Sequence, residues 1–459
     1  MNISIILAAG EGTRMKSELP KVLHRVCGKP ILEYVINASK DAEVEKNIVI
    51  IGHGGQKVSE YFQDEEIIFR TQPMGEDHPY GTGFAVKQGI DLIPDDSTVI
   101  ILYGDTPLIT NNTISGLVQY HKEQNNQGTV LTAILEDPTD YGRIIREDGE
   151  NISEIVEQKD ASLEQLKIRE INYGIYCFNG KSLKYALNLI DNNNAQGEYY
   201  VTDAISILKN GGHKVGAYII DDSTEIHGVN SRTQLAFSES VMKARINERF
   251  MVEGVTIIDP TNTYIESEVE IGRETIIYPG VTIQGKTKIG KNCIIRSNTR
   301  IKDSIIYDDV EIESSLIQDS SVGDNSHIGP NAHLRPNSHI GNNVKIGNFV
   351  EVKNASIGNN SKAGHLSYIG DATIGDNVNI GCGVVFVNYD GKAKFHTTVG
   401  DNAFIGSNSN LVAPIEVKDW GFIAAGSTIT KNVEEGALSI ARAQQKNILG
   451  WVDRKGKKL

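Results

Sequence analysis

The first apolar run of the chain is followed by a loop whose residues could hold phosphate. The run LAAG ends at Gly10, and Arg14 and Lys21 follow it. Backbone N–H groups of a small-residue loop can approach phosphate oxygens, and the two cations add positive charge. The spacing fits neither the Walker A pattern nor G-x-G-x-x-G. A glycine loop alone could equally be a turn, but together with the cations it indicates a phosphate-binding loop.

A carboxylate ends another apolar run in the N-terminal half. The run VIILYGD places Asp105 after a hydrophobic strand, at the edge where α/β enzymes bind ligands. Mg²⁺ is a hard ion that prefers oxygen ligands and bridges phosphates. Taken in isolation, Asp105 could be a helix N-cap or a turn residue. Combined with the glycine loop, it predicts a Mg²⁺ ligand.

The elements that position these residues alternate along residues 1–230. The runs ISIILAAG, NIVIIGH, TVIILYGD and TVLTAIL are typical of strands, and several precede amphipathic stretches. This alternation predicts an α/β domain with helices on both faces of a sheet. Apolar residues at near-helical spacing then predict a linking helix over residues 231–251. A second domain is expected over residues 252–459.

The C-terminal half has a six-residue period. Aliphatic residues recur at this step in three runs: Ile271, Ile277, Ile283, Ile289, Ile295, Ile301; Val322, Ile328, Leu334, Ile340, Ile346, Val352; and Val399, Ile405, Leu411, Val417, Ile423, Ile429. The period predicts a parallel β-helix of hexapeptide repeats with about 18 residues per triangular coil. Asn and Gly suit its tight corners. A β-sandwich with accidental spacing is the alternative. Two steps of five residues are expected to keep the coil, and Asn388–Thr398 to loop outward.

Counting repeats assigns chemistry-bearing residues to the faces of this coil. His365, Ser407 and Ala425 each fall third in a hexapeptide of one face and are predicted to form a column. Arg335 and Lys353 are 18 residues apart and are predicted to stack as a cationic pair on another face. This arrangement suits an anionic substrate held where coils meet. The three histidines His327, His333 and His339 are six apart, so they should diverge around the coil rather than bind a metal.

Bulk composition excludes several classes of protein. The formal net charge of -14 argues against a nucleic-acid binder, which needs a basic face. The four cysteines are far apart and lack zinc-ligand spacing, which is typical of reduced thiols. The apolar N-terminus has no basic segment before it and resembles a first strand rather than a signal peptide. We therefore expect a cytoplasmic protein without nucleic-acid or membrane partners.

The order of motifs resembles one family over nearly the whole chain. LAAGEGTRM, PKVLH, GTG, YGD, YGRI, EIVEQKD, NYGIY, GVNSR, the hexapeptides, AGHLSYIGDA and NYDG are similar to the bifunctional N-acetylglucosamine-1-phosphate uridylyltransferase/glucosamine-1-phosphate acetyltransferase family. This resemblance implies a Rossmann-like nucleotidylyltransferase domain, a linker helix and a left-handed β-helix. It also implies UTP and acetyl-CoA as co-substrates, Mg²⁺, and assembly as a homotrimer. The product would be UDP-N-acetylglucosamine.

By the same resemblance, the N-terminal domain binds UTP and the sugar phosphate. Arg14 and Lys21 would act in catalysis, and Asp105 and Asn230 would hold Mg²⁺. The implied nucleotide and sugar contacts are Leu7, Ala8, Ala9, Gly10, Lys21, Gln72, Gly81, Thr82, Gly142, Glu157, Asn172 and Asn230. One segment departs from the family pattern Gln-x-x-Gln-Leu-Gly-Thr-Gly-His-Ala: this chain has about four extra residues between Gln72 and Gly81 and Phe84 instead of His. The departure puts the base contact of Gln72 in question.

The resemblance also implies residue roles in the β-helix. His365 would be the general base that deprotonates the attacking amine, since imidazole takes up protons near neutral pH. The implied sugar-phosphate contacts are Arg335, Lys353, Tyr368 and Asn379. The implied acetyl-CoA contacts are Asn388, Tyr389, Ser407, Ala425 and Arg442. Two alternatives are a monofunctional sugar-1-phosphate nucleotidylyltransferase with a structural β-helix, and a scaffold with a decayed catalytic half.

Overall fold

The chain divides into two compact units. A computed structural model describes residues 1–63, 65–75, 77–139, 141–147, 151–194 and 196–456. The units are Met1–Met242 and Lys243–Leu459. The helix Arg232–Val252 contains the division between them, close to the expected 231–251. Within the described ranges, no helix is long and apolar enough to cross a membrane.

The first unit is a mixed sheet with helices. Its strands are β1 Asn2–Ala8, β2 Arg25–Val26, β3 Lys29–Pro30, β4 Lys46–Ile51, β5 Ile68–Thr71, β6 Thr98–Tyr103, β7 Gly128–Ile134, β8 Gly142–Glu147, β9 Asn151–Val156, β10 Glu170–Asn179 and β11 Val215–Ile219. Its helices are α1 Ile31–Asp41, α2 Gly55–Tyr61, α3 Thr82–Lys87, α4 Asn111–Glu123, α5 Gly180–Leu189, α6 Asp203–Asn210 and the start of α7 Arg232–Val252. The 3-10 turns are Thr13–Met15, Lys21–Leu23, Ile90–Leu92, Gln165–Lys167, Ser223–Ile226 and, in the second unit, Pro260–Asn262.

The main sheet has the order β11-β7-β10-β6-β1-β4-β5, with the β8–β9 hairpin attached through β10. Strand β1 pairs in parallel with both β4 and β6, so Leu7 lies opposite Ile50 on one side and Tyr103 on the other. Strand β10 runs antiparallel to β6 and β7. Continuous apolar runs form these central strands because both of their faces are covered, as for Ile5, Ile48 and Ile101, each 0% exposed. The predicted α/β class is confirmed.

The second unit is one continuous coil of short strands, most of them paired in parallel with the strand three further on. The strands are β12 Thr256–Ile257, β13 Tyr264–Ile265, β14 Glu270–Ile271, β15 Ile276–Ile277, β16 Thr282–Gln284, β17 Lys288–Ile289, β18 Ile294–Ile295, β19 Arg300–Lys302, β20 Ile305–Ile306, β21 Glu311–Ile312, β22 Leu316–Gln318, β23 Ser320–Val322, β24 His327–Ile328, β25 His333–Leu334, β26 Ser338–Ile340, β27 Lys345–Ile357, β28 Lys362–Ile374, β29 Asn379–Ile380, β30 Val385–Val387, β31 Thr397–Val399, β32 Phe404–Ile405, β33 Asn410–Val412, β34 Ile415–Val417, β35 Phe422–Ile423, β36 Thr428–Ile429 and β37 Leu438–Ser439, followed by α8 Trp451–Arg454. The longer strands β27 and β28 turn corners and so pair with several neighbours.

The register of the coil explains the irregular steps. Full coils advance 18 residues, as in Ile277 opposite Ile295. Shorter coils also occur: Ile306 lies opposite Val322, 16 residues on. Five-residue steps are thus more numerous than the two identified from sequence, and they carry the coil through the gap between Ile301 and Val322. The outward loop begins at Asn388 as predicted but ends before Thr397, because Thr397 and Thr398 pair with Ala372 and Thr373.

Corners of the coil have left-handed backbone angles, as the Asn and Gly pattern predicts. The φ angles of Asn325, Asn343 and Asn360 are 56°, 56° and 57°. Asparagine tolerates this region better than most residues. Phe349 and Leu366 adopt it too, with φ of 58° and 38°, and both side chains are 59% exposed. These two bulky corners occupy equivalent positions in adjacent coils, because each comes one residue after a member of the Asn348–His365 pair.

Candidate active sites

A cavity of about 760 Å³ opens at the carboxyl ends of β1 and β6. Its walls include eleven of the residues predicted from the sequence: Leu7, Ala8, Ala9, Gly10, Arg14, Lys21, Gln72, Gly81, Thr82, Asp105 and Asn230. Parallel strands end at this edge, and loops from several of them therefore converge here. The structure brings the glycine loop and both predicted metal ligands into one cavity.

The glycine loop is shaped by Gly12. Its φ is 66°, and a β-carbon at this position would lie 2.8 Å from the β-carbon of Lys21. Glycine is therefore required both for the backbone angle and for the approach of Lys21. The Thr13–Met15 turn that follows carries Arg14 into the cavity wall. Two positive side chains thus face the space where a triphosphate would lie.

Lys21 lies between the two predicted metal ligands. Its Nζ is 2.5 Å from Asp105 Oδ2 and 2.8 Å from Asn230 Oδ1. A carboxylate oxygen and an amide oxygen therefore converge on one positive charge, which is the donor chemistry that Mg²⁺ requires. Among the residues that the structure describes, no group of three or more His, Cys, Asp or Glu could hold a metal. The oxygens fit a metal that completes its shell with water and phosphate.

Gln72 keeps its place despite the longer loop after it. Its side chain is 3% exposed and lines the same cavity as Gly81. Its backbone N–H donates to Ile51 O at 2.8 Å, which continues the pairing of β5 with β4. The extra residues between Gln72 and Gly81 therefore do not remove Gln72 from the cavity. Position 76 lies outside the described residues.

A second cavity of about 390 Å³ holds the predicted sugar contacts Gly142, Glu157 and Asn172. It shares four wall residues with the larger cavity: Thr82, Tyr103, Tyr141 and Tyr173. A β-carbon at Gly142 would lie 3.4 Å from both Asn172 Cβ and the Glu157 carboxylate oxygens, so glycine keeps this space open. The two cavities are adjacent compartments of one site.

Buried polar groups that the sequence did not single out support these sugar contacts. Burial raises the pKa of Glu157, while a hydrogen bond from Thr202 Oγ1 at 3.2 Å opposes the shift. The Tyr176 hydroxyl is 3.2 Å from Asn172 Oδ1 and 3.1 Å from Thr202 Oγ1. Nothing in the spacing of Tyr176 or Thr202 marks such a role, since the contact depends on β10 and α6 meeting in space.

The predicted histidine column exists in the second unit. Strand register places Asn348 opposite His365, and Ala363 opposite Ile380, Ile405 and Ile423 in successive coils. The residues two positions after Ala363, Ile380, Ile405 and Ile423 are His365, Cys382, Ser407 and Ala425. These four residues therefore form one column. Cys382 was not predicted as a member; it is an exposed cysteine. His365 is exposed as well, so its ring is open to a ligand on this face.

The predicted cationic pair also exists and has a third member. Leu334 pairs with Val352, so Arg335 and Lys353 lie in register on adjacent coils. Arg335 Nη1 donates to Glu351 Oε1 at 2.8 Å. The neighbouring Lys394 and then Arg335 lower the pKa of Lys353, because they disfavour another positive charge. Lys394 lies on the outward loop, where no repeat could have indicated it.

Asn388 and Tyr368 meet beside this cationic group. Asn388 Nδ2 is 3.4 Å from the Tyr368 hydroxyl and donates to Asp371 Oδ2 at 2.5 Å. Asn354 donates to the other oxygen of Asp371 at 2.6 Å, so the buried carboxylate fixes two amides. Tyr368 lies opposite Glu351 in the strand register. Glu351 directly precedes Val352, which pairs with the residue before Arg335.

The remaining predicted contacts are distributed around the histidine face. Asn379 pairs with Lys362 and Phe404, on the strand after the one that carries His365. Tyr389 is 57% exposed at the start of the outward loop, where its hydroxyl donates to Gly391 O. Arg442 Nη1 donates to Ala425 O at 2.6 Å, so the tail of the same chain contacts the end of the column.

Comparisons with known proteins agree with this organisation. The family model "Nucleotidyl transferase" matches residues 3–225. In the second unit, "GMPPB C-terminal domain" matches 252–335, "Bacterial transferase hexapeptide (six repeats)" matches 319–354, and "Hexapeptide repeat of succinyl-transferase" matches 396–431. By class, the chain is a nucleotidyl transferase joined to a hexapeptide-repeat transferase.

Curated relatives match over almost the whole chain. The bifunctional protein GlmU of Clostridioides difficile is 56% identical over 456 residues, covering 99% of this chain and 98% of the relative. The GlmU proteins of Alkaliphilus oremlandii and Alkaliphilus metalliredigens are 54% and 53% identical, with the same coverage. This chain belongs to the GlmU family of bifunctional enzymes.

Family membership confirms several predictions from the sequence. The chain is a bifunctional enzyme with nucleotidyl transferase and hexapeptide acetyltransferase domains, and its second unit is the left-handed parallel β-helix of hexapeptide transferases. Neither the monofunctional enzyme nor the scaffold is supported. Nucleotidyl transfer of this class depends on a divalent metal, its substrates are small molecules, and hexapeptide repeats favour oligomers. The individual site residues stay predictions.

Proposed function

We propose that the enzyme makes UDP-N-acetylglucosamine in two steps. Acetyl-CoA acetylates glucosamine-1-phosphate on the β-helix, and UTP then donates UMP to the product in the first unit. The observation that carries the proposal is the presence of two separate built sites in one chain. One is a nucleotide cavity with an adjoining sugar compartment. The other comprises a histidine column and a cationic group on the same β-helix.

In uridylyl transfer, the phosphate oxygen of N-acetylglucosamine-1-phosphate attacks the α-phosphorus of UTP, and pyrophosphate leaves. The sugar would lie in the smaller cavity, on Glu157 and Asn172, and the nucleotide in the larger. Because the cavities share walls, the two reactants meet without a covalent enzyme intermediate, and catalysis rests on position and charge. Arg14 and Lys21 would neutralise the triphosphate. Mg²⁺ held by Asp105 and Asn230 would supply further charge neutralisation.

In acetyl transfer, the amine of glucosamine-1-phosphate attacks the thioester carbonyl of acetyl-CoA. His365 would take the proton that the amine loses, and CoA leaves as the thiol after protonation. Arg335, Lys353 and Lys394 would bind the sugar phosphate, with Tyr368 and Asn379 on the sugar. The acetyl-CoA contacts would be Asn388, Tyr389, Ser407, Ala425 and Arg442. The register of the His365 column and the positive charge around Lys353 support this arrangement.

The proposal assigns uridylyl transfer to residues 1–230, a linking role to 231–251 and acetyl transfer to 252–459. We further propose a homotrimer, which would cover the exposed apolar corners at Phe349 and Leu366. UTP and acetyl-CoA are cytoplasmic metabolites, so the enzyme would act in the cytoplasm. Its net charge of -14 is unfavourable for nucleic-acid partners.

A single reaction mixture tests both activities. Purified protein receives glucosamine-1-phosphate, acetyl-CoA, UTP and Mg²⁺, and products are followed by mass spectrometry. UDP-N-acetylglucosamine should appear, disappear when acetyl-CoA is omitted, and return when N-acetylglucosamine-1-phosphate is supplied. His365→Ala should lose acetyl transfer and keep uridylyl transfer. His339→Ala, an exposed histidine on another face, is the matched control. If only the acetylated sugar phosphate reacts, the β-helix role is wrong.

A further inference from the structure

The segment between Gln72 and Gly81 ends in an aromatic residue that the family pattern lacks. The pattern has Leu before Gly-Thr-Gly, whereas this chain has Tyr80 before Gly81. Tyr80 is a wall residue of the larger cavity, together with Gln72 and Gly81. Its side chain is 45% exposed, so one part of the ring contacts protein and another part faces open space. The departure from the family pattern therefore changes the surface of the nucleotide cavity itself.

The backbone around Tyr80 is anchored despite the longer loop. Tyr80 O accepts a hydrogen bond from Tyr199 N at 2.9 Å, and Tyr199 O accepts one from Gly83 N at 2.7 Å. Thr82 Oγ1 accepts a third from Val201 N at 3.0 Å. Gly81 has φ of 119°, and a β-carbon there would clash with the Tyr199 backbone. These contacts fix the position from which the Tyr80 side chain extends.

Gln72 indicates what kind of group this part of the cavity receives. Gln72 is 3% exposed and lines the cavity. Its amide is therefore placed to bind a ligand group that enters this part of the cavity. An amide offers one donor edge and one acceptor edge, which matches the alternating edge of a pyrimidine base. A planar base hydrogen-bonded there presents a face for an aromatic ring to cover.

The charged groups that act on Tyr80 are carboxylates. Glu198 lines the cavity together with Tyr80, and Arg14 and Lys21 line the same cavity. Burial, Glu198 and then Glu11 raise the pKa of Tyr80, so its hydroxyl is neutral at physiological pH. A phosphate is unfavourable beside Glu198, while an uncharged base or ribose is not. The Tyr80 ring therefore suits the uncharged end of the nucleotide.

We propose that Tyr80 contacts the pyrimidine base of the nucleotide substrate and contributes to its affinity. This inference rests on the proposed uridylyl transfer and goes beyond it, because it names a binding residue specific to the longer loop. The ring would cover one face of the base while the Gln72 amide binds its edge. Since the base is the same in the ground and transition states, Tyr80 should affect substrate binding rather than turnover.

The test compares Tyr80→Leu, which restores the family residue, with Tyr80→Phe, which keeps the ring. The Kd of UTP is measured by calorimetry, and KM and kcat by pyrophosphate release. Base–aromatic stacking is worth about 1–3 kcal/mol, so Tyr80→Leu should raise the Kd and KM of UTP at least fivefold. The kcat and the KM of N-acetylglucosamine-1-phosphate should change by less than about twofold. Tyr80→Phe should recover most of the affinity.

Tyr185→Leu is the matched control, since this tyrosine is 46% exposed on α5 and lies in neither cavity wall. The thermal unfolding of the first unit, measured for each variant, checks that this unit is intact. An unchanged UTP Kd in Tyr80→Leu overturns the inference and leaves the proposed function standing. An equal rise in the KM of both substrates also overturns it, because the loop would then act only through folding. If the wild type does not bind UTP at all, the proposed function itself fails.

Discussion

The contact of Lys21 with Asp105 and Asn230 predicts that metal and ammonium compete for the same oxygens. Lys21 Nζ is 2.5 Å from Asp105 Oδ2, and the two side chains are 12% and 15% exposed. Exposed ion pairs contribute little, while breaking a buried pair costs roughly 3–5 kcal/mol, so this pair is worth about 2 kcal/mol. Lys21→Met should destabilise the first unit by that amount. For a unit of this size, the unfolding temperature should fall by about 4–8 °C.

Mg²⁺ should reverse much of this loss in the variant and have little effect on the wild type. At ten times its Kd for Lys21→Met, Mg²⁺ alone stabilises the protein by about 1.4 kcal/mol. In the wild type the metal must first displace the ammonium, which weakens apparent binding about 30-fold for 2 kcal/mol. At the same concentration the wild type should then gain only about 0.2 kcal/mol.

Scanning calorimetry without nucleotide can measure both effects. The transition of the first unit is identified beforehand as the one that UTP shifts. Lys57→Met, at an exposed position of α2, is the control. Uridylyl transfer by Lys21→Met should also fall, since the triphosphate loses a cation. Equal Mg²⁺ shifts in wild type, Lys57→Met and Lys21→Met would refute the competition. So would an unfolding temperature of Lys21→Met that equals that of the wild type.

Three further substitutions test other parts of the structure. Lys394→Ala should raise the KM of glucosamine-1-phosphate about tenfold in an acetyl-transfer assay, because a charged hydrogen bond to phosphate is worth about 1.5–3 kcal/mol; Lys392→Ala, an exposed lysine on the same loop, should not. Gly12→Ala should lower kcat/KM for UTP at least tenfold without changing acetyl transfer, since the new methyl group meets Lys21 at 2.8 Å; unchanged uridylyl kinetics would contradict this. Burial and neighbouring carboxylates raise the pKa of Asp203 to about 6, so its ionised form is disfavoured in the fold. Asp203→Asn should therefore unfold at a higher temperature than the wild type at pH 8, and the difference should shrink as pH falls through 6 and vanish near 4; a difference independent of pH would contradict the assignment.

The β-helix could be predicted down to individual columns of residues, because its sequence repeats with the same six-residue period as its strands and corners. A constant step of six residues assigns each residue to a face of the coil. The five-residue steps do not change this assignment, because Ile346 still lies opposite Ala363 after a 17-residue coil. The outward loop does not change it either, because Ile374 lies opposite Val399. His365, Ser407 and Ala425 therefore fall in register as counted.

Residues brought together from unrelated segments could not be predicted in the same way. Lys394 reaches Lys353 from a loop without a period, and its approach depends on how that loop folds back. The bridge from Tyr176 to Asn172 and Thr202 joins β10 to the start of α6. The position of Gln72 after the unusual insertion depends on its pairing to β4, which sequence length alone does not reveal.

The outward loop can vary in evolution independently of the coil that carries it. The coil before it and the coil after it are joined as though the loop were absent, since Ala372 pairs with Thr397 and Thr373 with Thr398. Changes of length or sequence in residues 389–395 should therefore leave these strand pairings in place. A lineage could replace this segment and so change which groups the loop offers to a substrate, while the β-helix stays the same. Grafting the loop between distant members of the family would be a practical route to new acyl acceptors.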